Sequence, residues 1–272
     1  MGQSNEVQAA NQYWGRAGLG QAILDALAAA GKHLDALEPA DLAPIDQFHN
    51  GGKTATVQLA RLAELVPGMN VLDVGGGLGG PARTLAAEYG CSVTVIDPTD
   101  SYIEAGEMLT KALGLSDRVK HRSGSGLELP FANGEFDVVW TQNSGMMIPD
   151  KERLYAGFHR VLKRHGRLAF QEPMAGSVQP VVYPLVWARD ASTNFLRPPA
   201  EMRAAIEAAG FKPRVWEDAT LATSWMPPAA QRPIFSLPRL VMGDSFEAVM
   251  QAGQRNTDEG RMVTVHAVFD RV

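Results

Sequence analysis

Apolar residues recur at helical spacing in "LGQAILDALAAAG" (residues 19–31), and the proline- and glycine-punctuated stretch "EPADLAPIDQFHNGG" follows it as a loop. Residues 1–50 are therefore read as a helical cap. "KTATVQLARLAELVPGMN" predicts a helix closed by Pro67 and Gly68, and "NVLDV" a buried strand. From there the signals alternate. A helix in "PARTLAAEYG" carries Pro81 in its first turn, where a missing N–H costs nothing. It is followed by strand "SVTVID", helix "SYIEAGEMLTKALGL", strands "RVKHRS" and "FDVVWTQ", helix "DKERLYAGFHRVLKR" and strand "RLAFQE". Such alternation predicts a doubly wound parallel sheet of the α/β class. After Glu172 the pattern dissolves into "PMAGSVQPVVYPLVWARDASTNFLRP", rich in proline and aromatics, which we read as a lid over residues 173–198. Helix "PAEMRAAIEAAGF", strand "KPRVWEDA", a helix around "SFEAVMQAGQ" and a last strand "MVTVHAVF" complete a domain running from residue 51 to 272.

Composition narrows the function classes. The chain has 272 residues, 45% of them hydrophobic and 20% charged, which is ordinary for a folded domain. A formal net charge of −5 gives no general attraction to a phosphate backbone or an anionic membrane, so nucleic acid and membrane are not expected as partners. Cys91 is the single cysteine and cannot form an internal disulfide, and "MGQSNEVQAA" lacks the basic and apolar blocks of a signal peptide. A cytoplasmic location is expected. No metal is expected either, because the histidines and carboxylates show no ligand spacing.

The chemistry starts at "VLDVGGGLGGPA" (residues 71–82), with five glycines in the six positions 75–80. Gly75, Gly77 and Gly80 fit the G-x-G-x-x-G turn that binds dinucleotides, while Asp73, Gly75, Gly77 and Gly79 fit the D-x-G-x-G-x-G turn that binds S-adenosylmethionine. Either turn offers backbone N–H groups and a helix N-terminus to a ligand. Asp73 decides between them. A carboxylate two residues before the first glycine would repel a pyrophosphate, whereas the ammonium and sulfonium of S-adenosylmethionine are complementary to it. Asp97 ends the next strand 22 positions after Gly75, the reach at which a carboxylate meets ribose hydroxyls, and Pro98 is placed to face the adenine.

At "LDVGGGLGG", "VIDPTD", "LPFANGEFDVVWTQNSGMMIPDKERLYAGFHRVLKRHGRLAF" and "AAIEAAGFKP" the chain resembles class I S-adenosylmethionine-dependent methyltransferases. It is most similar to the bacterial small-molecule branch that includes sarcosine/dimethylglycine and sugar O-methyltransferases. The resemblance implies a Rossmann-like, seven-stranded sheet with the cofactor at the carboxyl ends of the first strands and a small-molecule acceptor under cap and lid. Carried over by position, Asp73, Gly75, Gly77 and Gly79 hold the methionine portion and Asp97 the ribose. Ser125 stands where the family has an adenine-binding Asp, Leu127 supplies backbone or apolar packing there, and Gln142 contacts the methionine moiety.

Methyl transfer needs a base only when the acceptor arrives protonated. The resemblance would place a His after the fourth strand and an Asp at the end of the fifth, and this chain has Asn143 and Glu172 there. Glu172 and His49, the latter on the cap loop "QFHNGG", are the two base candidates; His121, His159 and His165 are read as structural. Asn143, Met147, Tyr183 and Trp187, with Met146 and Trp225, suggest an acceptor pocket with apolar surface. Two other classes compete with a methyltransferase of O, N or C: a dinucleotide dehydrogenase, and a non-catalytic S-adenosylmethionine-binding regulator or complex subunit. A nucleic-acid methyltransferase is disfavoured, since "TQNSGMMIPD" lacks an N-P-P-Y type sequence. A homo-oligomer is compatible with all of these.

Overall fold

The computed structural model describes residues 5–223, 239 and 242–272. Three helices precede the sheet: α1 (Asn5–Trp14), α2 (Leu19–Ala29) and α3 (Pro39–Asp46). Then come α4 (Gly52–Leu62), β1 (Asn70–Val74), α5 (Gly80–Tyr89), β2 (Ser92–Asp97), α6 (Asp100–Ala112), β3 (Val119–Ser123), β4 (Phe136–Gln142), α7 (Lys151–Val161) and β5 (Leu162–Ala175). The chain closes with α8 (Pro199–Ala208), β6 (Phe211–Asp218), α9 (Phe246–Asp258) and β7 (Met262–Arg271).

The seven strands lie in the order β3-β2-β1-β4-β5-β7-β6. β1 to β5 pair in parallel, and β7 inserts antiparallel between β5 and β6. The sheet is therefore mixed: parallel through β5, as the alternation predicts, with β7 antiparallel. "MVTVHAVF" carries no signal of strand direction, because both faces are covered and its burial is nearly continuous. On one face Leu154, Tyr155 and Phe158 of α7 and Ile206 of α8 pack on Leu72, Val139, Leu168 and Phe170. On the other, Leu59 of α4 and Leu85 of α5 cover Val71, Val93, Val138 and Trp140. Burying each such side chain contributes about 1.5–3 kcal/mol.

Chain reversal from β1 to α5 falls at the topological switch, since β1 pairs with β2 on one side and β4 on the other. The cap closes the carboxyl edge at that point. Leu19, Ile23, Leu27, Leu42 and Ile45 of α2 and α3 join Tyr102 and Leu109 of α6, together with Leu185 and Trp187 of the stretch after β5. Three boundaries move relative to the sequence reading. α7 stops at Val161 because Leu162 pairs with Phe136 as the start of β5. The irregular stretch expected as a lid over 173–198 begins after Ala175, because Pro173, Met174 and Ala175 remain in register with β7. α3 forms inside the expected loop, started by Pro39 and by a reciprocal cap in which Asp41 Oδ2 accepts from the Glu38 N–H at 2.9 Å. Trp225 lies outside the described residues. Among those described, no helix is long and apolar enough to cross a membrane.

Candidate active site

A cavity of about 500 Å³ opens where the glycine turn, the cap and the stretch after β5 meet. Of the residues singled out from the sequence it brings together Asp73, Gly75, Gly77, Asp97, Pro98, Ser125, Gln142, Asn143, Met147, Trp187 and His49 on one wall system. Gly79, Leu127, Glu172 and Tyr183 do not line it. Gly79 is the N-cap of α5, in the left-handed region at φ 78°, and faces His121 behind the turn. Leu127 packs against the core under α7, and Tyr183 Oη accepts a 3.0 Å bond from Asn194 within the lid.

Glycine is required at Gly75. Its φ of 71° is left-handed, and an added Cβ would lie 2.4 Å from Ser144 Cβ. The turn is thereby pressed against the loop that follows β4. Asp97 fixes its other side, accepting from Gly77 N–H at 3.0 Å and from Thr99 N–H at 2.8 Å. Asp73 behaves differently. It is 1% exposed and its Oδ2 has no partner. Burial, reinforced by the neighbouring Asp97, raises its carboxyl to about 8. An orphaned, buried carboxylate oxygen on the wall of a cavity fits a cationic ligand group and does not fit a pyrophosphate.

The base candidates are placed apart. Glu172 sits behind the loop after β4, where its Oε1 accepts from Gly145 N–H at 2.8 Å and Ser144 N–H at 3.2 Å. Burial raises its carboxyl above the usual range, with the Lys151 ammonium opposing. Lys151 Nζ donates to Gly145 O at 2.6 Å, so the carboxylate and the ammonium clamp the same turn. Glu172, expected as a base candidate, thus stands behind the cavity wall and holds the loop that carries Ser144 and Gly145, with its Oε2 buried and unpartnered. Asn143 starts that loop at φ 53°, a conformation that asparagine tolerates better than most side chains.

His49 does line the cavity, but both ring nitrogens are engaged: Nε2 lies 3.1 Å from Gln47 Oε1 and 3.1 Å from Thr56 Oγ1, and Nδ1 3.2 Å from Asn50 O. The same network takes in Gln142, whose Nε2 donates to Gln171 Oε1 at 3.0 Å; His266 Nε2 lies 3.1 Å from that atom. Burial lowers His49 to about 4. The unfolded chain protonates this ring below about pH 6.5 and the folded protein does not. The stability from the neutral ring is therefore complete at neutral pH and lost as pH falls toward 4. His49→Gln is expected to remove a slope of about 1.4 kcal/mol per pH unit over that window. Denaturant unfolding of both proteins at pH 7 and pH 5 checks this, and parallel losses would contradict it.

Several lining residues lack a sequence signal: Tyr13 and Trp14 of α1, Phe48, Tyr102, and Asp46. Asp46 is the most constrained. Its Oδ2 accepts from Arg83 Nη2 at 2.7 Å, with the two side chains only 3% and 1% exposed, while its Oδ1 has no partner. Gly80 makes room for this contact, since a Cβ there would meet Asp46 O at 2.3 Å. The pair ties the cap to the first turn of α5.

The architecture is that of the class I methyltransferase fold. Residues 72–170 match the family model described as a methyltransferase domain. The chain is 31% identical over 163 residues to the sarcosine/dimethylglycine N-methyltransferase of Halorhodospira halochloris, covering 58% of this chain and 56% of that protein. Across the first three curated relatives it matches, it spans 23%, 56% and 48% of their length. Among solved structures it is similar to the [4+2]-cyclase SpnF, with a TM-score of 0.71 at 20% identity over 100% of this chain and 98% of that one. It is also similar to the geranyl diphosphate C-methyltransferase of Streptomyces coelicolor A3(2), with a TM-score of 0.64 at 19% identity over 80% and 79%.

Proposed function

We propose that the protein transfers a methyl group from S-adenosylmethionine to O, N or C of a small-molecule acceptor. The observation that carries this reading is the buried, unpartnered Oδ2 of Asp73 beside a left-handed Gly75–Gly77 turn, in the same cavity as Asp97. Relatives named for N-methylation of sarcosine and dimethylglycine and for C-methylation of geranyl diphosphate support it. Asp73 would hold the ammonium, Asp97 the ribose hydroxyls, Ser125 and Pro98 the adenine, and Gln142 the methionine chain. When bound, S-adenosylmethionine supplies a methyl on a sulfonium, and its loss leaves a neutral thioether. The chain's own task is alignment and exclusion of water, and proximity of this kind contributes about 7–11 kcal/mol.

Of the two base candidates only His49 reaches the cavity, and a ring held near a pKa of about 4 accepts a proton weakly. We therefore assign His49 to orienting the loop through Gln47 and Gln142. A regulator would need the cofactor end and no acceptor space, so the apolar wall beside the turn favours the enzyme.

Incubation with S-adenosylmethionine labelled in its methyl group tests the proposal: label should pass to an acceptor among hydroxyl, amine and activated-carbon compounds. Unaltered cofactor across that panel would favour the regulator. Calorimetry adds a prediction about Asp73. Burial raises its carboxyl to about 8, and an ammonium placed against Oδ2 would favour the ionised form. Titration with S-adenosylhomocysteine in two buffers of different ionisation enthalpy is expected to report release of up to about one proton at pH 7 and none near pH 9.5. Asp73→Asn should abolish the release. Equal release in the variant would assign the proton elsewhere.

A further inference from the structure

We infer that the acceptor half of the cavity is built for an uncharged, predominantly apolar molecule, an inference that rests on the methyl-transfer reading. Its walls come from four separate segments: Trp14 of α1, Phe48 of the cap loop, Met146 and Met147 of the loop after β4, and Trp187 and Phe195 of the stretch after β5. Segments far apart in sequence thus converge on one apolar surface. Trp14 meets Phe48 edge-on at 6.0 Å, and Trp187 Nε1 is satisfied within the lid by Asn194 Oδ1 at 3.1 Å, so this indole presents ring and not donor to the cavity.

The charges on the wall settle the class of acceptor. Among the described residues, the lining holds the carboxylates of Asp46, Asp73 and Asp97 and no lysine or arginine. A carboxylate, phosphate or diphosphate on the acceptor would be taken out of water beside three carboxyl groups, with no lysine or arginine among the described lining residues to meet it. A cationic acceptor fares little better. The charge of Asp46 is met by Arg83 through Oδ2, although its Oδ1 has no partner, and Asp73 and Asp97 belong to the glycine-turn end. Other polar side chains of the lining are neutral, among them the amides of Asn50 and Asn143 and the hydroxyl of Thr193. Such groups orient one hydroxyl or carbonyl of an otherwise greasy molecule.

A matched set of ligands sharing one ring system tests this on the full chain saturated with S-adenosylhomocysteine: 2-naphthylmethanol, 2-naphthylmethyl phosphate and (2-naphthylmethyl)trimethylammonium. Calorimetry should give the alcohol a Kd at least tenfold below those of the phosphate and the ammonium. Met147→Lys places a cation on the wall and should reverse the order of alcohol and phosphate. Binding of the phosphate or the ammonium to the unaltered protein as tightly as the alcohol would overturn the inference. So would saturable binding of S-adenosylhomocysteine with none of the three. If S-adenosylhomocysteine fails to bind while the alcohol still outbinds both charged forms, the methyl-transfer reading falls and the acceptor assignment stands.

Discussion

Arg83→Met is expected to lower the unfolding free energy by about 3–5 kcal/mol, because it leaves the Asp46 carboxylate buried without its partner. For a chain of this size that corresponds to a fall in Tm of roughly 6–20 °C. The size follows from burial. Arg83 and Asp46 are 1% and 3% exposed, Arg83 Nη1 also donates to Thr110 Oγ1 at 3.0 Å, and desolvation already raises the Asp46 carboxyl against the pull of the guanidinium. Arg197 and Glu152 form an equally short pair at 2.7 Å but are 28% and 66% exposed, so Arg197→Met should cost less than about 1 kcal/mol. Adding Asp46→Asn to Arg83→Met should recover much of the loss. Thermal and denaturant unfolding of the four proteins checks the comparison, and similar small losses for both arginine variants would mean the buried pair is no clamp.

Asp97→Ala is expected to weaken S-adenosylhomocysteine binding roughly 30- to 150-fold, equivalent to about 2–3 kcal/mol for hydrogen bonds to a charged acceptor. Two effects combine. The ribose loses its carboxylate, and the glycine turn loses the anchor at Gly77 N–H. Asp97→Asn keeps one acceptor oxygen and should fall between the two. An unchanged Kd for Asp97→Ala would sink the ribose assignment.

The parts of this protein legible from sequence are those fixed by local patterning. "NVLDV", "SVTVID" and "FDVVWTQ" form strands at the residues expected, because buried runs of this length bounded by turn residues admit few alternatives. Asp73 and Asp97 stand on the cavity because a strand end next to a glycine turn can face little else. What the sequence concealed depends on tertiary placement. Glu172 reads as a strand end, yet it lies within β5, and the loop carrying Ser144 and Gly145 folds over it and takes its carboxylate as a backbone acceptor. His49 reads as a base candidate on the cap loop, but Gln47, Thr56 and Gln142 hold it in a buried network. Trp14 and Phe48 read as ordinary cap residues until the cap is docked. The antiparallel course of β7 could not be seen in a strand whose pattern is the same in either direction.

The proposed methyl transfer requires the glycine turn to take S-adenosylmethionine and not a dinucleotide. Calorimetric titration of the purified protein with S-adenosylhomocysteine, NAD and NADP in parallel puts that directly. The account predicts saturable binding of S-adenosylhomocysteine alone, since the buried Asp73 carboxyl faces the turn. Binding of NAD or NADP in its place would contradict it at the first step.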